Sequence, residues 1–192
     1  MSLAEKLTLV AQRQSQVYAA GKEAELTAFW EMLQAGGSRR SYLYGFYGKN
    51  WTDAHYRPLY PIVGDMQQIF ASSGITDTKV PLVVDGSLAF GFNMTGVKIV
   101  RSLDLTNCTN VTRAFNSAAA IQSIGFVGLI KVSGLDVSNC IKLDKASLLS
   151  LLNCLEHKTD GGTWEVTLGG TNKGKLTAKE LAIAQNKGWT VK

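Results

Sequence analysis

Phe70-Ala-Ser-Ser-Gly-Ile75, Phe92-Asn-Met-Thr-Gly-Val97 and Phe115-Asn-Ser-Ala-Ala-Ala-Ile121 are three versions of one phrase, and their spacing decides the fold. The phenylalanines stand 22 and 23 residues apart. Each is followed by small or polar residues, an aliphatic residue, and then a short strand-like run: Val80-Pro-Leu-Val-Val84, Leu103-Asp-Leu105 and Ile124-Gly-Phe126. A fixed period of this size with one strand per unit predicts a solenoid, in which every unit buries its apolar residues against its neighbours and none folds alone. The expected class is α/β, with Phe70, Phe92 and Phe115 as the repeat core, stacked in register.

These residues resemble BspA-like leucine-rich repeats, whose units carry an aromatic, a small-residue turn often ending in Cys, and a spaced pair of aliphatics. Ala114-Phe115-Asn116-Ser117 followed by Ile121 and Ile124 resembles that pattern most closely. Leu103-Asp-Leu-Thr-Asn-Cys108 and Leu135-Asp-Val-Ser-Asn-Cys140 echo each other 32 residues apart, so one turn is expected to carry an insertion of about ten residues. The resemblance implies a short, degenerate leucine-rich-repeat solenoid over residues 65–140.

Composition places the chain among folded proteins, because 45% of its residues are hydrophobic against 18% charged. The formal net charge is +5, but basic residues are scattered among acids, and Arg39-Arg40 is the only adjacent arginine pair. A nucleic-acid groove needs Lys and Arg clustered on one face, so no nucleic-acid partner is expected. Cys108, Cys140 and Cys154 make an odd count, with no CxxC and no histidine at ligand spacing. Two of them end the echoed Asn-Cys turns, where a cysteine reads as a small apolar residue facing the stack rather than as a disulfide or metal ligand. Met1-Ser-Leu-Ala-Glu-Lys6 reads as the start of a polar helix, so no signal peptide is expected. With no apolar run of about 18 residues, no membrane partner is expected either.

Residues 1–37 form the first expected domain, an oligomerisation and docking helix. Leu3, Leu7, Val10, Gln14 and Val17 follow the spacing of a coiled-coil seam, continued in small residues by Gly21, Ala24 and Ala28. The seam predicts a homotrimer, with Gln14 as a polar core position that sets register; the other reading is an amphipathic helix folded back on its own body. Residues 38–64 form an aromatic-rich junction or cap holding five of the six tyrosines. Tyr42, Tyr44 and Trp51 are a candidate stacking surface for a sugar or a partner loop. The same aromatics would equally serve to cover the open apolar end of a repeat array. Residues 141–192 read as an α/β C-terminal cap. In it Asp144 caps a helix running to Leu155, Trp164 to Leu168 alternates as a strand, Gly169-Gly170 turns, Thr177 and Glu180 form a capping box, and Gly188-Trp-Thr-Val191 closes as a strand. These strands are expected to continue the solenoid's sheet with atypical units.

Catalytic chemistry needs a nucleophile with a base and an orienting group, or a pair of placed carboxylates. His55 and His157 are the only imidazoles, and neither sits in a nucleophile-elbow or HExxH context. Gly91-Phe-Asn-Met-Thr-Gly96 and Gly169-Gly-Thr-Asn-Lys-Gly174 lack the GxxxxGK[ST] order that cradles phosphate. Asp53 and His55 beside Trp51 and Tyr56 form a corner that glycoside hydrolysis would need to complete with a second carboxylate, for which Asp65 is the candidate. No catalytic, cofactor-binding or metal-ligating set is assigned, and the chain is expected to bind rather than react.

Taken whole, the chain resembles small virion proteins encoded by phages and prophages of gut bacteria. These open with a helix of the Met1-to-Leu7 type and pass through an aromatic segment like Gly48-Lys-Asn-Trp-Thr-Asp53. After the repeats they end in a helix like Leu176-Thr-Ala-Lys-Glu180 and a strand like Gly188-Trp-Thr190. The resemblance implies a virion structural protein, a fibre, baseplate or head-decoration component, assembled in the host cytoplasm. It would dock on other virion proteins by its N-terminus and present its repeats to a host surface glycan or protein. The alternative is a bacterial cell-surface or secreted leucine-rich-repeat module that binds carbohydrate or protein.

Overall fold

The computed structural model describes Thr52, Asp53, Tyr56, Pro58 and residues 61–192. The seam residues Leu3, Leu7, Val10, Gln14 and Val17, and the candidate stacking residues Tyr42, Tyr44 and Trp51, lie outside the described residues.

Four strands, β1 (Ile62–Gly64), β2 (Leu82–Ser87), β3 (Ile99–Asn110) and β4 (Ser123–Val127), form a parallel sheet in chain order. Alternation makes each strand. In β2, Leu82 and Val84 are buried while Val83 and Asp85 are not, and in β4, Ile124 and Phe126 face in. The long β3 breaks its alternation between Val100 and Leu103, where its register with β4 shifts, so that Val100, Leu103, Leu105 and Cys108 all reach the core. Gly125 lets β4 approach β3, since a Cβ there would stand 2.6 Å from the Arg101 carbonyl oxygen.

Between strands the chain turns through the phenylalanines. Phe70, Phe92 and Phe115 are fully buried, and their ring centroids are 5.4 and 5.2 Å apart with interplanar angles of 22° and 4°. Tyr56 meets Phe70 edge-on at 5.6 Å and donates its hydroxyl to the Thr78 carbonyl at 2.7 Å.

The far edge of the sheet is closed by side chains. Helix α1 (Lys145–Cys154) is capped by Asp144, whose carboxylate accepts from the Ser147 N–H at 2.7 Å. Its Ser147 and Ser150 hydroxyls then accept from the Ile124 and Phe126 N–H groups of β4 at 2.8 and 3.3 Å. Leu148, Leu151 and Leu152 bury the same helix against the core.

A second parallel sheet holds β5 (Leu135–Asp136), β6 (Trp164–Thr167) and β7 (Trp189–Val191), with α2 (Gly169–Lys173) and α3 (Ala178–Asn186) between the last two strands. It corrects two expectations. Leu103 pairs with Phe126, not with Leu135, so the interval between the two echoed segments holds a complete turn followed by a passage to a new sheet, rather than one turn with an insertion. Gly128, at φ +70°, takes the chain out of the first sheet, and Ile130 then bridges to Leu155. The C-terminal strands likewise make a sheet of their own instead of extending the first one, and its first strand, β5, lies before residue 141. Gly169-Gly170 opens a short helix rather than a simple turn, because buried Asn172 anchors it to the Val137 and Cys140 carbonyls.

Candidate interaction surface

Each of the three phenylalanine turns begins with the same local device. Five residues before Phe70, Phe92 and Phe115 stand Asp65, Ser87 and Asn110, whose side-chain oxygens accept from the N–H groups of Gln67, Ala89 and Thr112 at 3.0, 3.0 and 2.9 Å. Two residues per turn then adopt left-handed backbone: Gln68, Phe90 and Arg113 at φ 58°, 56° and 51°, and Ser72, Met94 and Ser117 at φ 55°, 51° and 55°.

This conformation lets alternate N–H groups reach the next turn. Met66, Gln68, Phe70 and Ser72 donate to the carbonyls of Ser87, Ala89, Gly91 and Asn93 at 2.8 to 3.0 Å. Leu88, Phe90, Phe92 and Met94 donate to Asn110, Thr112, Ala114 and Asn116 at 2.8 to 3.1 Å. In the third turn the equivalent donors are Val111, Arg113, Phe115 and Ser117, and none of the four N–H groups has a hydrogen-bond partner among the described residues. The rim beside them is open, since Thr112, Arg113, Asn116 and Ser117 are all exposed, whereas Val111, Ala114 and Phe115 are covered from within.

Two side chains extend this rim. The Arg113 guanidinium lies 5.8 Å from the Phe90 ring centroid and forms no ion pair with a described carboxylate. Asn116 donates its amide to Asn93 Oδ1 at 3.1 Å, starting an amide ladder along the stack. The arrangement is an exposed rim carrying a cation and an amide, beside a turn whose Val111 and Phe115 are covered by the chain itself.

The other candidates are engaged in holding the fold. Asp53 accepts from the Thr76 N–H at 3.0 Å and from its hydroxyl, while Lys79 Nζ donates to the Asp53 and Tyr56 carbonyls at 3.2 and 2.8 Å. Burial alone would raise the Asp53 carboxyl, but the Thr76 hydroxyl and N–H, helped by Lys79, hold it below its usual range. Its partner is thus Thr76, and Asp65 is bound to its own turn; His55 lies outside the described residues. Burial raises the Cys108 and Cys154 thiols and pushes Cys140 up to about 12, which keeps them protonated at neutral pH. An open groove of about 730 Å³ runs beside Ile99, Ser123, Ile141, Leu143 and Lys175. Among the described residues no group of His, Cys, Asp and Glu is placed to hold a metal ion, and no helix is long and apolar enough to cross a membrane.

Compared with protein families, curated proteins and solved structures, the chain matches none. Phe70, Phe92 and Phe115 lie beneath the surface as packing, and the donor row beside Phe115 was not singled out in the sequence because it is made of backbone. Its one sequence signal is the Asp65, Ser87, Asn110 series preceding each phenylalanine.

Proposed function

We propose that this chain is a bacteriophage virion structural protein, a fibre, baseplate or head-decoration component, and that it binds rather than reacts. The observation that carries the reading is the exposed polar rim of the third turn, Thr112, Arg113, Asn116 and Ser117, a surface at the end of the phenylalanine stack. The recurrence of the phenylalanines every 22 to 23 residues, the inter-turn hydrogen bonds between residues 21 or 22 apart and the parallel strands support a degenerate leucine-rich-repeat solenoid of the BspA-like type. The chain-wide resemblance supports the virion. Residues 1–37 then dock on other virion proteins and on copies of the same chain as a homotrimer, and the solenoid faces a host surface glycan or protein. Short docking contacts of this kind gain their strength from several copies acting together.

Mass spectrometry of purified particles from the parent phage tests the reading. The protein is expected in the particles, and a chain lacking residues 1–20 is expected to fold but stay out of them. Absence of the intact protein from particles overturns the virion assignment, and turnover of a cell-wall or capsular glycan by the purified protein overturns the binding-only one.

A further inference from the structure

We infer that the outward face of the three phenylalanine turns, centred on Phe90 and Met94, binds a neutral sugar unit of a glycan. This rests on reading the solenoid as the part turned towards a host surface, and it names the site and the ligand class. Met94 is the most exposed large apolar residue among those described, at 64%, and it holds left-handed backbone at φ 51°. Phe90, four residues earlier, is half-buried at φ 56°. The turns before and after carry Gln68 and Arg113 in register with Phe90, and Ser72 and Ser117 in register with Met94. Only the middle turn thus sets two bulky apolar side chains outward on backbone that strains them, where polar ones serve the fold equally well. Strain kept without a gain in packing points to a contact made outside the molecule.

Size and chemistry choose the ligand. Ring spacings of 5.4 and 5.2 Å make the three turns about 10 Å wide, and the run from Phe90 to Met94 is at most about 14 Å long. The footprint is therefore roughly 140 Å², against about 800 Å² per partner in a stable protein interface. One or two sugar rings cover such a footprint. A sugar ring also offers what this face can meet: an apolar C–H surface for Phe90 and Met94, and hydroxyls that both donate and accept. Beside Met94, Asn116 gives one amide hydrogen to Asn93 Oδ1 at 3.1 Å, which leaves the Asn93 amide donors and the Asn116 carbonyl oxygen without a described partner. Arg113 and Ser117 add a guanidinium fork and a hydroxyl at the exposed edge. No carboxylate or lysine stands in register with Phe90, Asn93 or Met94 on the neighbouring turns, so hydrogen bonding here is carried mainly by neutral groups, which suits a neutral ligand.

The test is an NMR titration of the full-length, ¹⁵N-labelled protein with glucose, galactose, mannose, rhamnose and N-acetylglucosamine, each to about 100 mM, a range that detects the weak single-site binding on which avidity builds. At least one of them is expected to shift the amides of Asn93, Met94, Arg113 and Asn116, and none to shift those of β5 to β7. Phe90→Gln and Met94→Ser together install the residues that the first turn already carries on the same backbone, so the variant keeps the fold, and its affinity is expected to fall about threefold or more. Silence of these amides towards all five sugars overturns the inference, and so does a full response in the double variant. An equal response to galacturonate or sulfate would replace the sugar site by an anion site, and the same shifts on concentrating the protein alone would replace it by a contact between copies. Each of these outcomes leaves the particle measurement untouched, so the two ideas fail separately.

Discussion

In residues 65–118 one turn is joined to the next by backbone: eight inter-turn N–H to carbonyl bonds at 2.8 to 3.1 Å, with three stacked rings behind them. In residues 135–192 a few backbone bonds, such as Val137 N–H to Thr167 and Leu168 N–H to Lys192 carbonyls at 2.9 and 2.8 Å, are joined by side chains that cross the corresponding gaps. Asn172 reaches Val137 and Cys140, Lys175 reaches Ile141 and Leu143, Lys187 reaches Leu152, Asn153 and Leu155, and Trp189 reaches Glu156. The difference is one of where specificity lies. Backbone ladders accept almost any outward side chain, whereas a lysine that satisfies the last carbonyls of α1 cannot be exchanged without leaving those groups to water. The first region should therefore be vulnerable only at its rings, and the second at single polar residues.

The largest effect belongs to the ring stack. Phe92 is enclosed by Phe70 on one side and Phe115 on the other, so Phe92→Ala leaves a cavity that neither neighbour can fill, at a cost of about 3 to 5 kcal/mol. Guanidinium denaturation of the full chain would measure it. A wild-type midpoint would mean the stack is not what holds the first region together.

The rings were also the legible part of the fold. A large aromatic recurring every 22 or 23 residues leaves a mark in sequence because each copy must fill the same space, and the Asp144 and Thr177 caps are legible for the same local reason. Strands β6 and β7 were legible as well, but their separation into a second sheet with the two-residue β5 was not, because its turns are joined by Asn172, Lys175 and Lys187, whose surface-like residue types gave no hint of their structural roles. The echo of Leu103 to Cys108 in Leu135 to Cys140 misled because the two segments lie in different sheets yet share a local device, an Asp side chain accepting from the N–H two residues on.

Asn172 sharpens the contrast from the other side. It is fully buried, donates to two carbonyls at 3.0 and 3.3 Å, and accepts from Lys175 Nζ at 2.9 Å. Asn172→Ala removes all three bonds and leaves a buried gap, although each partner keeps another bond, and should cost about 1 to 3 kcal/mol. Hydrogen exchange would show where. Faster exchange confined to the second sheet and α2 is the expected pattern, and equal acceleration in the phenylalanine turns would dissolve the distinction between the two regions.

A pH dependence separates them more gently. The Glu180 carboxylate accepts from the Thr177 N–H and pairs with Lys145, and these contacts lower it from the usual 4.5 to about 2. Because the folded value lies below the unfolded one, the stabilisation of α3 against α1 is complete above about pH 4.5 and is lost as pH falls through about 2. Melting curves over that window should show the second region loosening first, and Glu180→Gln should flatten the dependence. An unchanged slope in the variant would remove Glu180 as its source.

The smallest expected effect is a gain, and it tests the claim that side chains on the phenylalanine turns are dispensable. Met94 is 64% exposed and sits at φ 51°, a left-handed conformation that strains most residues and suits asparagine. Its N–H already bonds to the Asn116 carbonyl at 3.1 Å, and that bond does not depend on the side chain. Met94→Asn therefore keeps the junction, relieves the strain and removes little buried surface, so stability should rise by about 0.5 to 1 kcal/mol. The matching change in the second region, Lys175→Asn, shortens a side chain that reaches the Ile141 and Leu143 carbonyls at 2.8 and 2.6 Å and should lower stability instead. Opposite signs from these two substitutions would place the joining of turns in backbone on one side and in side chains on the other. A loss at Met94 as large as that at Lys175 would mean the first region, too, relies on what its turns carry outward.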